Sequence, residues 1–257
     1  MELDDAYQNA AYIPGGDTYP DKWAQAAAAF RAGAVCELDL IYGESARQRF
    51  DLFHPSRLSK GLVIFVHGGY WLRFDKSFWS HLAAGPLAHG WTVAMPSYDL
   101  CPQVRITEIG TQIAQAVTTA AARVPGPIRL IGHSAGGHLV ARVSVPNPAL
   151  RWQDRVEKTV SVSPVADLAP LMRTSMNTVL QLDAEEAAAE SPVHLPVPRW
   201  AKTVWVGADE RPVFLEQAEA LANHWGCRNV TTEGEHHFSV VEGLADPESA
   251  LCAEILS

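Results

Sequence analysis

Hydrophobic and polar positions along the chain follow two spacings that keep exchanging places. Residues 22–30 are Ala-rich and predict a helix. Residues 36–41 and 48–53 predict two strands joined by a turn at Gly43-Glu44, and 62–66 is a continuous apolar run suited to a buried central strand. Then come a helix over 77–88, a strand at 92–95, a long helix over 106–122 and a short apolar strand ending at Gly132. Further strands at 157–162, 203–206 and 229–232 alternate with helices over 136–143, 214–223 and 249–256. Such an order predicts an α/β architecture: an open, mostly parallel sheet with helices on both faces, binding ligands at the carboxyl ends of its strands. The stretch 167–200 breaks the rhythm with Met172, Met176, an acidic Ala-rich piece and Pro192, Pro196 and Pro198. It is expected to form a small helical cap over the site, inside one domain spanning 1–257.

Composition narrows the function classes. Of 257 residues, 47% are hydrophobic and 19% charged, which is enough apolar material for one sizeable core and too little charge for a disordered chain. A net charge of −9 argues against a surface that tracks phosphates, so no nucleic-acid partner is expected. Cys36, Cys101, Cys227 and Cys252 are scattered, without metal-type spacing, and read as reduced structural thiols. The acidic start Met1-Glu2-Leu3-Asp4-Asp5 is unlike a secretory signal, and no apolar run is long enough to span a membrane. The expectation is a cytoplasmic protein without a membrane partner. The sequence leaves room for a homodimer.

The chemistry concentrates at Gly132-His133-Ser134-Ala135-Gly136. An apolar strand running through Gly-x-Ser-x-Gly into a helix is the context of a nucleophile elbow, where a tight turn holds the serine hydroxyl exposed at its tip. Ser134 then needs a base, and that base needs an acid to fix its tautomer. His236 and His237 follow the last predicted strand, and Asp209 and Glu210 follow the strand at 203–206. The spacing Gly207-x-x-Glu210 resembles the acid loop of related hydrolases, which favours Glu210 over Asp209, with Asp167 a weaker candidate. Amide donors for an oxyanion are expected at Gly68, Gly69 and Tyr70, in His67-Gly68-Gly69-Tyr70-Trp71 after the buried strand, joined by Ala135. Ten histidines lack metal-binding spacing, and Gly-x-Gly-x-x-Gly is missing at the elbow, so no metal and no cofactor is expected.

With these residues in place, the chain resembles the α/β-hydrolases of the kynurenine formamidase (arylformamidase) and hormone-sensitive-lipase-like group. The resemblance rests on His67 to Trp71, Tyr98-Asp99-Leu100-Cys101-Pro102, Gly132 to His138, Ser191-Pro192, Val206 to Glu210 with Phe214 and Gln217, and His237-Phe238. Tyr70-Trp71, where general esterases of the group carry a third glycine, is similar to the formamidases. The resemblance implies an α/β-hydrolase fold with Ser134 as nucleophile, His237 as base and an acid in the loop after Val206. Tyr70, Trp71, Tyr98, Met172, Met176 and Phe238 are expected to line a pocket for an aromatic amide or ester. A bulky Tyr70 would narrow the acyl side to suit a formyl group. The expected function is therefore a serine hydrolase acting on an aryl formamide such as N-formyl-kynurenine. The alternatives are a short-chain carboxylesterase and a ligand-binding protein without turnover on the same scaffold.

Overall fold

The computed structural model describes all residues from 1 to 257. Eight strands form one sheet: β1 (Cys36–Ile41), β2 (Arg49–Phe53), β3 (Leu62–Val66), β4 (Thr92–Pro96), β5 (Ile128–His133), β6 (Val156–Val162), β7 (Ala201–Gly207) and β8 (Arg228–Thr232). Their order across the sheet is β1-β2-β4-β3-β5-β6-β7-β8. β2 runs antiparallel to both β1 and β4, and every pair from β4 to β8 is parallel. The helices are α1 (Tyr19–Gly33), α2 (Ala84–Ala88), α3 (Ile106–Arg123), α4 (Ala135–Val143), α5 (Asn177–Leu180), α6 (Ala184–Glu190), α7 (Pro212–Trp225) and α8 (Ala250–Leu256). None of them is long and apolar enough to cross a membrane.

The pleat divides the apolar runs between two cores. Leu62, Ile64, Val66, Ile128 and Leu130 pack with α3 and α4 on one face, while Val63, Phe65, Val93, Ile131 and Val160 pack with Trp23 of α1 and Leu251 and Ile255 of α8 on the other. This is why β3 reads as an unbroken apolar run: both of its faces are covered. The helix expected over 77–88 is instead two 3₁₀ turns, Lys76–Phe78 and Ser80–Ala83, followed by α2. Trp79, at φ −123° and ψ 1°, separates the turns, and its indole is buried against Trp23 with ring centroids 4.6 Å apart. Tertiary burial of that ring overrides the helical spacing.

The stretch 167–200 holds a 3₁₀ turn, α5, α6 and a second 3₁₀ turn. Glu186 and Glu190 of α6 pair with Arg105 and Arg142, drawing that helix onto α3 and α4. The four cysteines form no disulfide.

The crossing of β3, β5 and α4 is the tightest point of the fold. A methyl group at Gly136 would stand 2.0 Å from the Val66 carbonyl oxygen, and one at Gly132 would stand 2.1 Å from the Gly136 carbonyl oxygen. Backbone cannot yield there, so Gly136→Ala should cost more than about 3 kcal/mol. Gly33, at the end of α1, meets nothing within 4 Å, and Gly33→Ala should stabilise by about 0.5–1 kcal/mol. Urea midpoints of the two variants check both signs; an unchanged midpoint for Gly136→Ala would contradict this account of the crossing.

Candidate active site

Ser134 occupies the turn between β5 and α4 with φ 57° and ψ −118°, a backbone conformation that persists only where the surroundings enforce it. Its amide donates to the Val162 carbonyl at 2.8 Å, which ties the turn to the end of β6. The small residues expected around it from the sequence are those the close crossing demands. Next to the turn, a methyl at Gly68 would lie 3.0 Å from Ser134 Cβ, so the loop after β3 touches the serine. The amides of Gly68, Gly69 and Tyr70 are not spent in backbone hydrogen bonds, and Ala135 opens α4, where amides lack intrahelical partners. Gly68, Gly69 and Tyr70 line the cavity that holds Ser134, and Ala135 follows it directly in the chain.

The expected base and acid lie in the loops after β7 and β8. A methyl at Gly207 would meet the Glu235 carbonyl oxygen at 2.2 Å, so the two loops run in backbone contact. That contact brings Glu210 Oε2 to 2.6 Å from His237 Nδ1. The other carboxylate oxygen accepts from the Ser163 hydroxyl and, at 2.9 Å, from the Gly207 amide. Burial alone would raise the Glu210 pKa, but the neighbouring His237 and the hydrogen bonds from His237, Ser163 and Gly207 outweigh it and hold the carboxyl below its ordinary value. Asp209 is exposed and its carboxylate makes no hydrogen bond to the imidazole, while its amide is bound to the Glu235 carbonyl at 2.9 Å. Asp167 sits beside Gln217, whose amide nitrogen donates to its carbonyl at 3.0 Å, and makes no hydrogen bond to His237. Ser134 and His237 line one cavity without a direct hydrogen bond between them; such pairs tighten when substrate fills the site.

The tandem histidines separate cleanly. His236 Nδ1 accepts the amides of Phe238 and Ser239, which leaves its proton on Nε2, 3.1 Å from the Tyr19 hydroxyl. His237 instead presents its ring to Glu210 and packs at a tilt against Phe214, with centroids 4.2 Å apart. His133, inside the elbow, approaches the His237 carbonyl at 2.8 Å through Nε2 and so fixes the loop that carries the base.

The cavity above Ser134 measures about 480 Å³, within the range of small-molecule sites. Of the expected wall residues, Tyr70, Met176 and Phe238 line it, while three lie elsewhere. Trp71 is fully buried in the core, edge-on to His138 at 5.0 Å. Tyr98 is also fully buried, stacked on His67 at 4.4 Å and donating to the His67 carbonyl at 2.9 Å. Met172 packs against the core outside the cavity. Both aromatic rings hold the loop after β3 from behind, a packing role that aromatic residue type cannot distinguish from a wall.

A family model for the alpha/beta hydrolase fold matches residues 63–241. The chain belongs to this family. It is 30% identical to the kynurenine formamidase of Salmo salar over 240 residues, 85% of this chain and 80% of the relative. It is 29% identical to the kynurenine formamidase of Drosophila melanogaster, over 82% of this chain and 77% of the relative. A crystal structure from Silicibacter sp. TM1040, provisionally assigned as a thioesterase, matches all of both chains at 54% identity with a TM-score of 0.97. The chain is accordingly a hydrolase, and its eight-stranded sheet is that of the family.

Two parts of this hydrolase site escape sequence reasoning. The roof comes chiefly from the amino-terminal residues: Tyr7, Asn9, Pro20 and Trp23 line the cavity, whereas 167–200 contributes only Met176. The expected cap thus covers little of the site, because α6 is drawn to α3 and α4. Residues 1–18 show no periodicity, so nothing in them signals a wall. Ser163 is the other case; its place directly after a β-strand, where site residues gather, is the one available hint.

Burial also sets the charge of the neighbouring histidines. It lowers the pKa of His133 to about 3 and of His67 and His138 to about 4, so all three stay neutral in the folded chain. In the unfolded chain each takes up a proton near 6.5. Stability should therefore fall as the pH drops from about 6.5 towards 4, since the unfolded state binds the extra protons. Melting temperatures between pH 7 and 5 should decline less steeply in His138→Gln than in the parent chain; equal slopes would contradict the assignment.

Proposed function

We propose that the chain is a serine hydrolase that cleaves an aryl formamide such as N-formyl-kynurenine through a formyl-enzyme. The observation that carries this reading is Ser134 and His237 lining one aromatic-walled cavity, with Glu210 bonded to the His237 imidazole, in a chain whose kynurenine formamidase relatives align over most of its length. In this reading Ser134 Oγ attacks the formyl carbon while His237 Nε2 takes the hydroxyl proton. Glu210 accepts the Nδ1 proton in a hydrogen bond, fixes the tautomer and stabilises the imidazolium that forms. Amides of Gly68, Gly69, Tyr70 and Ala135 supply the donors for the oxyanion. His237 then passes its proton to the departing arylamine nitrogen, and a water activated by the same imidazole releases formate.

The walls support the substrate class. Trp23, Phe74, Trp79 and Phe238 offer aromatic surface to a ring, and Tyr70 narrows the space beside Gly68 and Gly69 to suit a one-carbon acyl group. The Tyr70 hydroxyl is anchored to the Tyr7 carbonyl at 2.6 Å, so this narrowing is held in place. The same acyl-enzyme chemistry would serve an ester or a thioester, and the assignment of the Silicibacter neighbour makes a thioester the competing substrate.

Steady-state kinetics on N-formyl-kynurenine, a p-nitrophenyl ester and an acyl thioester test the choice. The highest kcat/KM is expected for N-formyl-kynurenine; a clear preference for the ester or thioester would replace the formamide reading. Ser134→Ala should lower turnover by about four orders of magnitude with the fold intact. Glu210→Gln should lower it by about a thousandfold or more, while Asp209→Asn stays within about threefold. The reverse ranking would move the acid to Asp209. Loss in His236→Ala but not in His237→Ala would likewise move the base.

A further inference from the structure

Asn9 holds an acceptor that nothing in the protein satisfies. The residue is 6% exposed, and its Oδ1 has no hydrogen-bond partner. Its orientation follows from its neighbours. The Tyr70 hydroxyl donates its single proton to the Tyr7 carbonyl at 2.6 Å, so the group facing Tyr70 Oη must be a donor: Asn9 Nδ2, at 3.3 Å. A flipped amide would set oxygen against oxygen, which fixes Oδ1 as the orphan. Asn9 lines the cavity together with Ser134 and His237, and also the adjoining pocket with Glu210 and His237, so it stands on the base side of the site. Buried acceptors without donors are rare in folded proteins, and one carried by a residue that lines a ligand cavity points to a donor on the ligand.

We propose that Asn9 Oδ1 accepts the N–H of the scissile amide and thereby sets a preference for amides over esters. The inference rests on the formamide reading and names the residue that would carry its selectivity. An ester or thioester offers only lone pairs at its leaving atom, which would face Oδ1 without a hydrogen bond. Attack by Ser134 turns the planar amide nitrogen pyramidal, and its lone pair must point to His237 Nε2 to receive the proton. Its N–H must then point elsewhere, and Asn9 Oδ1 offers that hydrogen an acceptor. When the C–N bond breaks, its electron pair leaves with nitrogen, the proton from His237 completes the neutral arylamine, and the carbonyl re-forms as the Ser134 formyl ester. Asn9 would be a specificity-determining residue supplied by the amino-terminal segment.

The test is the ratio of kcat/KM for N-formyl-kynurenine to that for phenyl formate, in the parent chain and in Asn9→Ala, Asn9→Leu and Asn9→Asp. The ratio should fall by about tenfold or more in Asn9→Ala. Asn9→Leu repeats the measurement with the volume kept should Asn9→Ala fail to fold. Asn9→Asp retains an acceptor oxygen and should stay nearer the parent ratio. A residue that merely braces the segment would depress both substrates together, so a ratio unchanged within about twofold in the folded Ala or Leu variant overturns the inference alone. A parent chain that turns over phenyl formate but not N-formyl-kynurenine overturns the formamide reading, and this inference with it.

Discussion

The 2.6 Å contact between Glu210 and His237 is the interaction around which the rest of the site is organised. A carboxylate at 7% exposure is costly unless its lone pairs are used, and here they are met by an imidazole, a hydroxyl and an amide. Each partner comes from a different strand end: Ser163 follows β6, Gly207 closes β7, and His237 lies in the loop after β8. Satisfying that one buried charge therefore sets the relative positions of three loops. His133 extends the arrangement to the elbow by bonding the His237 carbonyl, so the loop of His237 and the turn of Ser134 are tied by a hydrogen bond as well as through the cavity they share.

The amino-terminal segment adds what the parallel sheet lacks. Strand ends and their loops form a floor, and a floor alone neither excludes water nor selects a ring. Tyr7 enters the core edge-on to Phe214 at 5.9 Å, and Arg211 stacks over Tyr12 and pairs with Asp5, fastening the segment across the acid loop. The bond from Tyr70 to the Tyr7 carbonyl then joins roof and oxyanion loop in one unit. Acyl-side size and amide recognition would both be properties of that unit rather than of the sheet.

Much of this arrangement is legible in the amino-acid sequence. A continuous apolar run marks β3 because both of its faces are buried, and Gly132 and Gly136 stand out because only glycine fits where backbones cross within van der Waals contact. The histidine and carboxylate candidates were found by their places after predicted strands, yet choosing Glu210 over Asp209 geometrically required the turn that exposes one and buries the other. Trp71 and Tyr98 were misplaced as walls because an aromatic side chain next to a catalytic loop serves packing and binding equally well in a one-dimensional reading. Asn9 gave no signal at all: its role depends on a proton already committed between Tyr70 and Tyr7, a contact spanning 63 positions in the chain.

The most direct measurement is stoichiometric labelling with an aryl fluorophosphonate, followed by intact-mass and peptide-mass analysis. A serine activated by the Glu210–His237 pair predicts one adduct per chain, on the peptide bearing Ser134, with residual activity falling in step with labelling. Labelling should be slowed severely in Glu210→Gln and left nearly intact in Asp209→Asn. An adduct on another residue, or full activity in a chain labelled at Ser134, would contradict the account.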